Sequence, residues 1–405
     1  MEVKVMKFGG SSIANNKCIK RVGDIIKRHS EMSKLIIVLS AQKGVTDDLI
    51  KRAKQIQKQP DAREMDMLIS TGEQISIALL TMHLKSINIK AVSLTASQIK
   101  LTTDAYHTNA RIKSLTNNVL VKYLKGYDVL IVAGFQGITR DDQITTLGRG
   151  GSDLTAIAIA SSLNLDEVNI YSDVEGVYST DPNQNIKAVL IRKISYQEML
   201  EMASSGAKVI NNRAVELAAK KNIKIKLYST SNEVMGTEIN EVGKMEEKKI
   251  TGVVSKNDLA ILCIKLREAK DNLLSQALNL ISLEDINIDL FTYDQGILKL
   301  VIKEEMLDKI DRVFSKDYDY KVIGKKSNLV KVSVIGLGMI RQPGIAAQVA
   351  KVLDKENVNI ELISCSEINI SILISKVQAK NAIEKLHEKL IEKEYHHYEK
   401  NIQRN

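Results

Sequence analysis

Val3-Lys-Val-Met6 alternates apolar and polar side chains in the manner of a half-buried strand. Leu35-Ile-Ile-Val-Leu39, Ala91-Val-Ser-Leu94 and Val129-Leu-Ile-Val-Ala133 are short, mostly apolar runs, the pattern of strands covered on both faces. Val168-Asn-Ile-Tyr171 and Ile223-Lys-Ile-Lys-Leu227 alternate and predict more exposed or edge strands. Helical spacing appears between them. It covers Ile19, Val22, Ile25 and Ile26, the stretches Asp47–Lys58 and Ala62–Lys85, the series Leu154, Ile157, Ala158 and Leu163, and the stretch Ala207–Lys221. Strand and helix alternate in this way through residues 1–242, which predicts a mainly parallel sheet with helices on both faces. The functional loops of such a sheet belong at the carboxyl ends of its strands.

Near Val242–Lys249 the chain turns into a short charged connector, and beyond it the sequence repeats. Glu284-Asp-Ile-Asn-Ile-Asp-Leu290 matches Glu356-Asn-Val-Asn-Ile-Glu-Leu362, 72 positions on. The frame holds without gaps from Leu259/Lys331 to Ile302/Ile374, and Gln276 matches Gln348. Each copy reads strand, helix, strand, strand, helix. The expected division is an α/β domain at 1–242, a connector at 243–258, a first copy at 259–327 and a second at 328–405.

Composition narrows the class. A chain of 405 residues with 44% hydrophobic content has room for two or three domains with ample core. No apolar run approaches the ~18 residues of a membrane span, and Met1-Glu-Val-Lys4 lacks the apolar stretch of a signal peptide. Cys18, Cys263 and Cys365 are odd in number, far apart and without metal-ligand spacing, which suits a reducing compartment. A cytoplasmic protein without membrane association is expected. The net charge is +9, yet acids and bases interleave, aromatics make up only 4% and Trp is absent. Stacking platforms for bases are therefore scarce, and an anionic nucleotide substrate is favoured over nucleic acid.

The chemistry concentrates in two glycine turns. Thr145-Thr-Leu-Gly-Arg-Gly-Gly-Ser-Asp153 stands directly before a helical pattern. Glycines let the backbone approach a ligand, and free N–H groups at a helix start attract anions. Arg149 adds a planar cation for a carboxylate or phosphate, and Asp153 a carboxylate for a metal-bound phosphate or an ammonium. A plain reading, a glycine turn with Ser152 as N-cap, leaves Arg149 and Asp153 unexplained. The second turn, Lys7-Phe-Gly-Gly-Ser-Ser12, follows the first strand and precedes a helix, again the layout of a phosphate cradle. No Gly-x-x-x-x-Gly-Lys-Ser/Thr occurs, so it is not a P-loop.

Lys7–Ser12, Val38-Leu-Ser-Ala41, Thr71-Gly-Glu73, Gly134-Phe-Gln-Gly137, Thr146–Asp153 and Ser172-Asp-Val-Glu-Gly-Val-Tyr-Ser-Thr-Asp-Pro182 occur together and in order. In this combination the chain resembles the aspartokinases of the amino acid kinase family, over nearly its whole length. The repeated module is similar to the ACT domain, a βαββαβ, ferredoxin-like unit that binds amino acids. The resemblance implies an α/β fold, an αβα sandwich with a mainly parallel sheet, followed by two ACT domains. Ile250–Ser255 would be the strand that completes the second ACT sheet. It also implies phosphoryl transfer from MgATP to the side-chain carboxylate of L-aspartate, the step that opens the route to lysine, threonine and methionine.

By resemblance, Lys7 stands against the transferring phosphoryl group, with Phe8, Gly9, Gly10 and Ser11 beside the nucleotide. Ser40 donates to phosphate or substrate, and Thr46 opens a helix near the substrate. Glu73 takes the α-ammonium and Arg149 the α-carboxylate. Gly150, Gly151 and Ser152 line the substrate, and Asp153 organises the Mg–phosphate end. Ser172, Asp173, Tyr178, Asp181, Pro182 and Lys208 are the remaining nucleotide residues. The Mg²⁺ ion arrives with ATP, with no protein-only metal site. Asn211-Asn212 departs from the family's common His-Pro, and Asp271-Asn272 stands in the first copy where the second has Pro343-Gly344. Only the second copy therefore offers that helix start to an effector carboxylate. Gly344, Ile345, Asn359, Ile360, Ser364 and Glu367 are its candidate contacts for lysine, threonine or both. Association of copies through ACT domains is expected, and Met245 stands where an internal start would yield a separate regulatory subunit. Two other readings compete: acetylglutamate or uridylate kinases, and a catalytically silent amino-acid sensor. Tandem ACT-like copies argue against the first, and intact Lys7, Glu73, Arg149 and Asp153 against the second.

Overall fold

The computed structural model describes residues 2–207, 209–241, 250–267, 272–315, 318–341 and 343–392. They form two compact units. The first holds the described residues up to Tyr178, Leu190–Ala203 and those between 209 and 241; the second holds Ser179–Val189, Ser204–Ala207 and the described residues from Ile250 onward.

The elements of residues 2–241 begin with β1 (Val3–Phe8), α1 (Asn16–Ser30), β2 (Lys34–Leu39), α2 (Val45–Ile56), α3 (Ala62–Ile69) and α4 (Thr71–Ser86). Next come β3 (Ala91–Leu94), α5 (Ala96–Ile99), β4 (Thr102–Thr103), β5 (Ile112–Ser114), α6 (Asn117–Gly126) and β6 (Val129–Ala133). Then follow β7 (Gln136–Ile138), β8 (Ile144–Thr146), α7 (Gly151–Ser162), β9 (Glu167–Ser172), β10 (Lys193–Ser195) and α8 (Tyr196–Ser204). The series closes with α9 (Asn212–Lys221), β11 (Lys224–Ser229) and β12 (Met235–Asn240).

Eight strands form the main sheet in the order β10-β12-β11-β9-β1-β2-β6-β3, parallel except between β11 and β12. Met6, Phe8, Leu35, Ile37 and Leu39 pack with Ile19, Val22, Ile25 and Ile26 of α1 and with Ile77, Leu80 and Leu84 of α4. Helix α7, buried along Gly151–Ala160, packs on β1, β2, β9 and α9. A helix apolar all round is one the fold encloses. Strand β1 thus runs parallel between β2 and β9, and the carboxyl ends of these three strands converge. A smaller sheet, β5-β4-β7-β8, carries the chain into the glycine turn before α7.

Three local expectations are corrected. The strand at 168–171 is not exposed or at an edge: β9 is interior and buried, and β11 beside it is interior with alternating burial, while β3 forms an edge. The polar positions misled, because Lys226 pairs with Glu167 of the neighbouring strand at 2.6 Å. The stretch 62–85 is two helices, broken at Ser70. The stretch 207–221 becomes helical only from Asn212, because the Asn211 side chain caps it by accepting from the Ala214 N–H at 3.1 Å.

The second unit is built on one six-stranded sheet. Its elements are β13 (Gly252–Leu266), α10 (Leu273–Leu283), β14 (Ile288–Asp294), β15 (Ile297–Lys303), α11 (Leu307–Phe314), β16 (Tyr320–Ile335), α12 (Ile345–Lys355), β17 (Ile360–Cys365), β18 (Asn369–Ser375) and α13 (Lys376–His387). Their order is β14-β15-β13-β16-β18-β17, antiparallel throughout. The two sequence copies fall on β13–α11 and β16–α13. The long strands β13 and β16 serve both: Gly252–Lys256 pairs with Lys331–Ile335, and Leu259–Leu266 pairs with Tyr320–Leu329. Val253 accordingly lies in the core of the second copy. Both α10 and α12 begin at a left-handed residue, Asn272 (φ 69°) and Gly344 (φ 98°). Asparagine tolerates that region, so the first copy keeps the turn without glycine.

The segment Ser179–Val189 belongs to this second unit. The Ser179 hydroxyl lies 2.8 Å from Nε2 of His387, a fully buried side chain, and accepts from the Val189 N–H at 2.9 Å. His387 Nδ1 faces Glu392 at 3.3 Å, and Glu392 pairs with Lys187 at 3.0 Å. Among the described residues, no helix is long and apolar enough to cross a membrane.

Candidate active site

Lys7 sits near the end of β1 with its ammonium 2.7 Å from Asp153 Oδ1, and both side chains are buried. Asp153 lies in the first turn of α7, and its Oδ2 accepts from the Asn211 N–H at 3.2 Å. A cation and a carboxylate from distant parts of the sequence thus meet at the carboxyl end of the central strand. The backbone there is close: a Cβ on Gly10 would lie 2.5 Å from the Ala41 carbonyl. Gly9 donates its N–H to the Tyr171 carbonyl at 3.1 Å, tying β1 to β9. Phe8 stacks on Tyr171 with ring centroids 4.6 Å apart, so it serves the core beneath the turn. Ser11 is half-buried in the short turn Gly10–Ile13.

Ser40 follows β2 and donates its N–H to the Phe8 carbonyl at 3.3 Å. Glu73 enters beside it from the first turn of α4. Its Oε1 accepts from the Ala41 N–H at 2.9 Å, while Oε2 is buried without a partner. Burial pushes this carboxyl up to about 8, because losing water disfavours the charged form.

Thr46 lies in the first turn of α2, whose N-cap is left-handed Gly44 (φ 87°). Its neighbour Asp47 pairs with Arg149 at 2.8 Å, and the Arg149 side chain is 84% exposed. Gly148 and Gly150 hold φ values of 82° and 74° on either side of Arg149. The N-cap of α7 is therefore Gly150 rather than Ser152, which sits inside the helix with Gly151 and packs against Gly134. A Cβ on Gly151 would lie 2.8 Å from that of Leu147. The Asn211 amide donates to the Arg149 carbonyl at 2.7 Å, so the departure from His-Pro braces this turn.

In the remaining motif, the Ser172 hydroxyl bonds within its own loop and Asp173 is exposed. Tyr178 is half-buried and donates to Glu175 at 3.0 Å. Asp181 accepts from the Asn183 N–H at 2.9 Å; it and the exposed Pro182 belong to the segment counted with the second unit. Lys208, Asp271 and Met245 lie outside the described residues. No group of three or more His, Cys, Asp or Glu residues arranged for a metal occurs among the described residues.

Residues 2–229 match the amino acid kinase family, and residues 332–390 match the ACT domain. The aspartate kinase of Pseudomonas putida is 38% identical over 405 residues, covering 96% of this chain and 97% of that protein. The chain belongs to the aspartokinases. It is an ATP-dependent kinase of that family, with ACT-type regulatory architecture. E. coli aspartokinase III in complex with aspartate and ADP (R-state) shares the fold of the kinase at a TM-score of 0.83 and 23% identity, covering 97% of this chain and 100% of that one. The E. coli enzyme in complex with lysine and aspartate (T-state) matches at 0.76 and 24%, covering 96% and 100%.

Sequence reasoning missed several residues of this aspartokinase site. Thr230 shares a 2.6 Å hydrogen bond with Ser12 and donates to the Ser172 carbonyl at 3.0 Å, joining the turn at 7–12 to the loop that begins at Ser172. Asp66 and Arg213 fasten the approach to Arg149. Only Asp66 left a signal in the sequence: it is an acid one helical turn from Ile69, on the buried face of α3.

Proposed function

We propose that the kinase transfers the γ-phosphoryl group of ATP to the side-chain carboxylate of L-aspartate, giving 4-phospho-L-aspartate at the head of the route to lysine, threonine and methionine. The nucleophile is already ionised at neutral pH, so no general base is required. A carboxylate oxygen attacks the γ-phosphorus, the bond to the β–γ bridging oxygen breaks, and ADP leaves with that electron pair. Both reactants are anionic, so the work of the site is positioning and neutralisation. Lys7 neutralises charge on the moving phosphoryl group. Asp153 holds Lys7 in place and would face the Mg²⁺ that comes with ATP, which would supply charge neutralisation at the phosphates. Arg149 exchanges Asp47 for the substrate's α-carboxylate.

The observation that carries this reading is Glu73. A buried carboxylate oxygen without a partner suits the α-ammonium of an unacylated amino acid. An N-acylated substrate has no such group. The test is an ATP-dependent hydroxamate assay with L-aspartate, L-glutamate and N-acetylglutamate in parallel. Turnover with aspartate alone is expected, and preference for the acylated acid would overturn the assignment. Lysine, threonine or both act as feedback effectors at the second ACT copy, near Gly344, Ile345, Asn359, Ile360, Ser364 and Glu367. The E. coli complex with lysine supports an effector of this kind. Copies of the chain associate through these modules.

A further inference from the structure

We propose that Asp66, acting with Thr146, is a positioning residue for aspartate binding, and that it works through Arg149. The inference rests on the assignment of Arg149 to the substrate's α-carboxylate.

Asp66 lies in α3 with its side chain fully buried. A carboxylate in such a place is costly unless donors surround it. Here they do. Thr146 donates its hydroxyl to Oδ1 at 2.5 Å, the Thr108 N–H lies 3.0 Å from both oxygens, and His107 Nδ1 lies 2.8 Å from Oδ2. One acid thus joins three segments: α3, the loop at 107–110, and the last residue of β8. Thr146 stands three residues before Arg149.

The opposite side of the same turn is also fixed. Arg213 of α9 donates to the Leu147 carbonyl at 2.6 Å, to the Ala110 carbonyl at 2.7 Å and to Asn109 Oδ1 at 3.1 Å. The Ala110 N–H donates to the Thr146 carbonyl at 2.8 Å. Asn109 stands where a Cβ on Gly148 would fall, at 2.8 Å. Residues 146–148, ending in left-handed Gly148, are therefore held between a buried carboxylate and a half-buried guanidinium. The direction in which Arg149 leaves the turn is set by where Asp66 holds Thr146. The guanidinium is solvent-exposed, so it has little packing of its own to orient it. A displacement of about 1 Å at a substrate-gripping group can cost ~10²-fold.

The experiment compares steady-state constants of the full chain for Asp66→Asn, Thr146→Val, Thr146→Ser and Arg149→Ala, with melting temperatures alongside. Asp66→Asn keeps the shape but withdraws an acceptor, and Thr146→Val removes one hydroxyl. Both are expected to raise the KM for aspartate roughly 10- to 100-fold while the KM for ATP stays within about twofold. Thr146→Ser restores the hydroxyl and with it the KM. Combined with Arg149→Ala, Asp66→Asn is expected to add little, because the two act in series. Additive losses overturn the proposal, as does a parallel rise in both KM values that tracks falling melting temperature. If Asp66→Asn does not fold, the Val and Ser variants at position 146 decide alone. A normal aspartate KM in Arg149→Ala overturns the reading of the site itself. A raised one beside normal values for Asp66→Asn and Thr146→Val overturns only the positioning role.

Discussion

Glu73 and Lys7 present opposite problems in a buried site. Lys7 has its counter-charge at 2.7 Å, whereas Glu73 has one N–H donor and a bare second oxygen. Because its carboxyl is pushed up to about 8, the free site holds a proton there at neutral pH. An α-ammonium needs the ionised form. Affinity for aspartate is therefore expected to rise with pH, by up to about tenfold per unit, and to level off above the value for Glu73. Glu73→Gln should flatten the dependence while weakening binding, which titration calorimetry from pH 6 to 9 would show. The stability linkage has the opposite slope: the contribution of neutral Glu73 is complete below its ordinary value of 4.5 and is lost as pH rises through about 8. Lys7→Ala is expected to lower kcat by roughly 10²–10³, as for loss of a preorganised charge. Rapid-quench kinetics with aspartate would reveal a near-normal rate if Lys7 had no such role. These side chains were legible in the sequence because each stands in a short motif of unusual composition. Arg213 and Thr230 were not, since their partners lie 66 and 218 positions away, and Asp66 showed only as an acid near Ile69, its partner Thr146 being 80 positions on.

The elements were legible where one physical signal dominated. Unbroken apolar runs marked β2 and β6, and the repeat marked the strands and helices of both copies. The break at Ser70 escaped notice because α3 and α4 follow one another without glycine or proline to separate them. The interior placement of β9 and β11 escaped because a cross-strand pair, Lys226–Glu167, allows polar residues on covered strands. Helix α12 gives the element-scale prediction. A Cβ on Gly344 meets nothing within 4 Å, so Gly344→Asp has space, at the strain of its positive φ. The new carboxylate would face the incoming effector carboxylate at the helix start. Inhibition by lysine or threonine should weaken while basal turnover stays, with a loss of coupling of about 1–3 kcal/mol. Inhibition curves for both amino acids check it, and unchanged curves place the effector elsewhere.

At the scale of the molecule, the boundary between the two units is not a single cut. The chain crosses into the second unit at Ser179, returns at Leu190, and crosses again for Ser204–Ala207. The second of these excursions is close-fitting: a Cβ on Gly206 would fall 2.0 Å from the Ser255 carbonyl. The consequence concerns translation. A polypeptide restarted at Met245 would contain both repeats yet inherit neither excursion. Its His387 would lack the Ser179 hydroxyl and its Glu392 would lack Lys187. One orphaned buried polar group costs about 1–3 kcal/mol, a sizeable part of a small domain's stability. Such a short product should melt well below the second unit of the full chain and should gain stability when residues 1–244 are produced alongside it. Differential scanning calorimetry of the two preparations would show whether a separate regulatory chain from this gene can stand alone or must borrow eleven residues from a longer sister.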